Sequence, residues 1–296
     1  MNGFHTSNSS SPLNYLAIIG IHFAPSGTLG TSGRQNGIYR YRPGSGFLIE
    51  DCYFEGYQNN FVTEDLPYNA ARLSNVKLRR NILVNPVRSD NGTTNIYISR
   101  TDNVLLEENY FINFKANDSL TGRASKLSHH AYIQSSCGAN SITSRGNLFY
   151  NARSNLTQRP GGLAENNLAI RAGMGITFGS TETANAPNDP NGNIGTGTMH
   201  TRGAVRFNAV IESRDHWDGQ GLGIGYQLEA VDGVNFHDNV LAHGTDGTYH
   251  AMGIKFVARI KQVTMSSNLG YDWQQAGGGW DDRVILWLNS NAEILG

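Results

Sequence analysis

Apolar residues along this chain fall in short runs, separated by Gly, Asn or Asp, and no stretch sustains the 3.6-residue spacing of an amphipathic helix. One unit recurs: an apolar strand, a short gap, a polar residue that is usually Asn, then two or three apolar residues. It reads "FLIEDCYF" (47–54), "VKLRRNILV" (76–84), "VLLEENYFI" (104–112), "SITSRGNLFY" (141–150), "GLAENNLAI" (162–170), "AVRFNAVI" (204–211), "VNFHDNVLA" (234–242) and "VTMSSNLGY" (263–271). The aligned asparagines are Asn81, Asn109, Asn147, Asn167, Asn208, Asn239 and Asn268, spaced 20 to 41 residues apart.

A period of that size predicts a solenoid, and strand-sized β-branched and aromatic runs predict that each unit is one coil of a parallel β-helix. A leucine-rich repeat would need a regular Leu ladder, which is missing. Stacked coils place equivalent residues about 4.8 Å apart, so the asparagines are expected to form an inward, structural hydrogen-bonded column in the turn between strands. Where the spacing lengthens, a loop must leave the stack, and the surplus residues lie at 115–128 and 180–203. The expectation is one domain over 1–296, and the final "LWLNSNAEILG" reads as an unfinished coil, which fits a fragment of a longer chain.

Composition supports this picture: 35 glycines in 296 residues, and few Leu-rich stretches. The two cysteines, Cys52 and Cys137, form no CxxC motif, so neither a zinc site nor a disulfide framework follows, and both are expected to be small buried or turn residues. No apolar run approaches the roughly 20 residues that span a bilayer. The start lacks the charged-then-apolar order of a signal peptide. Formal net charge is −1. Residues 72–171 nevertheless carry +7 and the remainder −8, and a basic middle suggests an anionic partner.

The segments "LAIIGIHF", "GIYRYRPGSGFLIEDCYFEGY" and "HHAYIQSSCGANSITSRGNLFYNARSNLTQRPGGLAENNLAI" resemble the parallel β-helix proteins of the pectate-lyase-like superfamily. That resemblance, which runs over nearly the whole chain, implies an all-β, right-handed, single-stranded parallel β-helix. It also implies a secreted or cell-surface carbohydrate-active protein: a polysaccharide lyase, a glycoside hydrolase, or a glycan-binding module like a tailspike adhesin. The order of strand, "RGNLFY" and "LTQRPGG" is similar to alginate-lyase-like enzymes and implies that Arg159 is the arginine that works there with a lysine. Ser135 or Ser136 stands where that lysine would be, and Pro160 where a histidine is common.

Strict strand alternation gives the directions of side chains. With Ile96, Ile98, Ala131, Ile133 and Leu156 inward, three outward ladders are expected: Asn95-His130-Asn155, Tyr97-Tyr132-Thr157 and Ser99-Gln134-Arg159. Gln158 is expected to turn inward, and His129 to turn away or bound the strand. β-Elimination in a uronate glycan needs a cation on the sugar carboxylate, a base for the adjacent proton and an acid for the leaving oxygen. Arg159 suits the first because its planar fork binds carboxylate bidentately. His130 suits the base, with Lys126 as the alternative, and Tyr132 could donate or relay a proton. Gln134, Asn155, Tyr97, Ser99 and Arg123 are placed for substrate binding.

A second set lies downstream. "DHWDG" (215–219) reads as a loop with an aromatic platform, Trp217, and carboxylates, a wall for sugar binding or a calcium site, although no EF-hand-like string accompanies it. Histidines there lack HxH or HExxH spacing, so no transition metal is expected. The expected partner is an anionic polysaccharide, with neither nucleic acid nor membrane insertion. A hydrolase would instead draw on Asp215, Asp218 or Glu229. The acidic pair Asp281-Asp282 lies beyond the basic region, with no Gly-His-Gly motif.

Overall fold

The computed structural model describes residues 3–6, 11–26, 35–64, 72–87, 93–113, 128–180, 201–213, 223–243, 251–271, 283–288 and 293–295. Its twenty-five strands form one continuous parallel system. Each strand pairs with its equivalent one coil away rather than with its neighbour in sequence, which is the topology of a parallel β-helix.

Three faces surround the core. The first carries Asn36–Arg40, Asn59–Thr63, Thr94–Ile98 and His129–Ile133, then the C-terminal parts of Leu148–Gln158 and Leu168–Gly179. The second carries Gly44–Glu50, Leu73–Arg79, Thr101–Glu107, Ile142–Arg145, Gly162–Glu165 and Thr201–Arg206. The third carries Tyr53–Glu55, Ile82–Val84, Tyr110–Ile112, the N-terminal parts of Leu148–Gln158 and Leu168–Gly179, then Ala209–Ser213, Val240–His243 and Leu269–Tyr271.

The asparagine repeat forms the corner between the second and third faces. The residue before each asparagine turns the chain with positive φ, as at Arg80, Glu108, Asn166 and Asp238, with Gly146 in the same place one coil on. Each asparagine then uses its whole amide. Asn147 donates its backbone N–H and Nδ2 to Asn167 Oδ1 at 3.1 and 2.9 Å, donates Nδ2 to Leu106 O at 3.0 Å, and accepts both donors of Asn109. The pattern runs from Asn81 to Asn268. Cys52 heads it, its N–H donating to Asn81 Oδ1 at 3.0 Å. Buried amides so fully paired lose little by leaving water. Both cysteines are free and buried, as expected of them.

The core is stacked rather than clustered. Phe23 lies on Phe54 and Phe111 on Phe149, each pair with centroids 4.7 Å apart and nearly parallel rings. Outside the second face, Glu50, Arg79, Glu107, Arg145, Glu165 and Arg206 follow one another in register, with charges that alternate at every coil. Arg79 reaches Glu107 at 2.8 Å, Arg145 reaches the same carboxylate at 2.5 Å, and Arg206 meets Glu165 at 2.9 Å.

That ladder changes the meaning of the basic middle. Arg80 pairs with Asp51 and Glu50, Arg171 with Glu212, and Arg72 with Asp102. Several of these carboxylates lie outside 72–171, so a count along the chain overstates the local positive charge. Coils, not sequence neighbours, decide which charges meet.

Candidate active site on the first face

The registers of all three predicted ladders are correct, but the direction of one is not. Tyr97 pairs with Tyr132 and Tyr132 with Thr157 on the outer side of the first face. Ser99, Gln134 and Arg159 lie beside them, each N–H bonded to the carbonyl one coil back. Gln158 is inward and fully buried, with Nε2 donating to Gly161 O at 2.9 Å.

Asn95, His130 and Asn155, expected outside, are completely buried. His130 lies inside: its ring is 6.0 Å from Phe111 and 6.5 Å from Phe149, and both of those belong to the core. Its Nδ1 meets Asn95 Nδ2 at 2.7 Å and its Nε2 meets Tyr150 O at 2.8 Å. Asn60 Nδ2 in turn donates to Asn95 Oδ1 at 2.5 Å. Strict alternation fails at the start of this strand, where His130 and Ala131 both face inward. The column continues in register as Gly175, where a Cβ would lie 2.4 Å from Val210 Cγ1, so only glycine fits.

His129 takes the outer position instead. It stacks on Tyr132 with centroids 4.5 Å apart, and its Nδ1 meets Thr157 Oγ1 at 3.1 Å. Ser154 Oγ reaches the same hydroxyl at 3.1 Å. The Arg159 guanidinium lies 4.8 Å over the Tyr132 ring. Burial, and then the charges of Arg159 and Arg153, push the His129 imidazole down to about 3. His130 is pushed down to about 4 by burial, against the pull of its bond to Tyr150 O. Both rings are therefore neutral at ordinary pH. Burial raises the Tyr97 phenol, while hydrogen bonds to Gln134 and Ser99 oppose it.

Chemically, this arrangement sets a neutral imidazole, a phenol and a guanidinium along two adjoining coils. The imidazole can accept a proton, the phenol can give one, and the cation can hold a carboxylate. Ser99 Oγ lies 3.1 Å from Ser136 Oγ, which ties Ser136 to the same face. Sequence reasoning missed Arg153, which is buried and marked by nothing except an arginine among small residues.

Downstream, Gln227 follows Thr177 in the outer column, and Lys255 follows Gln227. Gln227 donates to Glu229. Lys126, Arg123 and Trp217, with Asp215 and Asp218, lie outside the described residues, as do 115–127 and 181–200 of the two long loops. Among the described residues no group of three or more His, Cys, Asp or Glu could hold a metal ion, and no helix is long and apolar enough to cross a membrane. Comparison with known protein families, with curated proteins and with solved structures finds no match.

Proposed function

We propose that this β-helix is a polysaccharide lyase acting on an acidic, uronate-containing glycan, with its chemistry on the first face. The observation that carries the reading is the stack of neutral His129 on Tyr132 with Arg159 over the same ring. Arg159 neutralises the sugar carboxylate, which acidifies the proton on the adjoining carbon. His129 is held neutral by burial and by the charges of Arg159 and Arg153; when the sugar carboxylate pairs with Arg159 it offsets one of those charges, and the imidazole then takes the proton. The electron pair left on carbon forms the double bond as the glycosidic oxygen departs, and Tyr132 supplies the proton that oxygen takes. Gln134 and Ser99, beside Arg159 in the flanking column, hold hydroxyl groups. On this reading the chain works outside the cell or at its surface.

A second reading is a glycan-binding β-helix without catalysis. It is favoured by the half-buried outer aromatics Tyr39 and Tyr97, which share one column through Val62.

A panel of acidic and neutral polysaccharides, followed by ultraviolet absorbance and by reducing ends, separates the readings. The lyase gives an unsaturated product, and Arg159→Ala or His129→Gln lowers the rate by roughly 100-fold or more. Reducing ends without ultraviolet absorbance identify a hydrolase. Retention of glycan with no new ends leaves binding alone.

A further inference from the structure

The third face presents two outward columns that are apolar over most of the helix. Tyr53, Ile82, Tyr110, Leu148 and Leu168 succeed one another in register, and the column continues through Ala209 to Val240 and Leu269. Two residues further along each strand run Val84, Ile112, Tyr150, Ile170 and Ile211. Tyr110 is 49 % exposed and Leu269 58 %. At the adjoining corner Phe207 is 49 % exposed, under the Arg206 guanidinium. Among the described residues no strand packs over this face.

We propose that this face is the interface of an antiparallel homodimer. A second parallel β-helix repeats the same ~4.8 Å spacing over all of its coils, so its ridges can mesh at every coil. A second copy of this chain is the partner that also fits the charges at the rim. The alternating ladder Glu50, Arg79, Glu107, Arg145, Glu165, Arg206 runs along the rim, separated from the apolar columns by the exposed corner residues Asp51, Arg80, Glu108, Gly146, Asn166 and Phe207. A two-fold axis across the coils, centred between Glu107 and Arg145, reverses that order. Glu50 then faces Arg206 of the second copy, Arg79 faces Glu165, and Glu107 faces Arg145: opposite charges at every level. The same axis sets Tyr53 against Ala209, large against small. A two-fold axis along the helix would instead put the ladders on opposite edges, where they do not meet. The six coils that meet, about 29 Å long and about 17 Å wide with the rim, would bury roughly 1,000 Å² over both copies, at the small end of specific interfaces.

Sedimentation velocity of the full chain at micromolar concentration is expected to give a dimer. Tyr110→Asp is expected to weaken it at least ~100-fold, because a charge enters the apolar centre, while Lys77→Asp on the exposed second face leaves it unchanged. The orientation has its own test, which does not depend on whether Tyr110→Asp folds. Arg145→Glu and Glu107→Arg each place like charges across the axis and are expected to be monomeric alone, yet an equimolar mixture restores the dimer. A monomeric native chain, or a mixture that stays monomeric, overturns the proposal. So does a monomer that binds phosphatidylcholine vesicles through this face, since it would assign the columns to a lipid surface.

Discussion

Two columns of buried polar side chains run along this helix, and they are built differently. At the corner between the second and third faces, each asparagine passes both its N–H donors to the next and returns Nδ2 to a backbone carbonyl. Inside the first face the chain of bonds runs from Asn60 through Asn95 to His130 and leaves the column at Tyr150 O. Asn155, next in register, is fully buried and neither side-chain polar atom has a hydrogen-bond partner. The difference lies in the backbone. The corner column is anchored at every coil by a positive-φ turn that points one N–H at the neighbouring amide, so the same residue is required each time. The first-face column has no such turn, and it admits asparagine, histidine or glycine as local space allows.

The largest effect is expected from breaking the anchored column. Asn147→Ala removes the acceptor of both Asn109 donors and the donor to Leu106 O. Leaving those buried groups unmatched should cost about 3–5 kcal/mol. Urea denaturation would measure it, and a loss below about 1 kcal/mol would show that the column is not held by its amides.

His130 sharpens the contrast through pH. The unfolded imidazole takes up its proton near pH 6.5, whereas the native one does so only near 4. Between these values the unfolded state binds more protons, so stability falls as pH falls, by about 3 kcal/mol over the window. His129 adds a loss of the same sign, continuing down to about 3. His130→Asn should flatten the slope by up to about 1.4 kcal/mol per pH unit there, which urea midpoints at a series of pH values would reveal. An unchanged slope would contradict the burial of this ring.

Asn155→Leu is expected to go the other way from Asn147→Ala. Replacing an amide without partners by an apolar group should leave stability unchanged or raise it by about 1 kcal/mol. Thermal denaturation of Asn155→Leu beside Asn147→Leu makes the comparison direct, and similar losses in both would erase the distinction.

The smallest effect belongs to the outer charge ladder. Burial raises the Glu107 carboxyl, but the guanidiniums of Arg145 and Arg79 outweigh it and hold it below its usual range. The stability it contributes is therefore present above the unfolded carboxylate value and is lost as pH falls through the lower native value. The arginines are well exposed, so water screens these pairs, and Glu107→Gln should cost about 1 kcal/mol or less, and less still in high salt.

Much of the architecture was legible in advance. The asparagine column, the parallel coils and the register of Tyr97, Tyr132 and Thr157 followed from repeated short strands. The direction of His130 did not. Alternation holds only in the regular part of a strand, and at the start of His129–Ile133 two successive residues, His130 and Ala131, face inward. The pairing of the charges in the basic middle was not legible either, since Arg80 and Arg171 find their carboxylates on neighbouring coils outside that segment.

The sequence by itself determined the coil: the spacing of apolar residues and of Asn81 to Asn268 allows one stacking, because a one-residue slip would bury polar side chains and expose the core. Only the tertiary structure decided which of two adjacent histidines meets Tyr132 and Arg159. That choice rests on the packing of the His130 ring against Phe111 and Phe149, residues from a different coil or a different face, and no pattern local to "HHAYI" contains it.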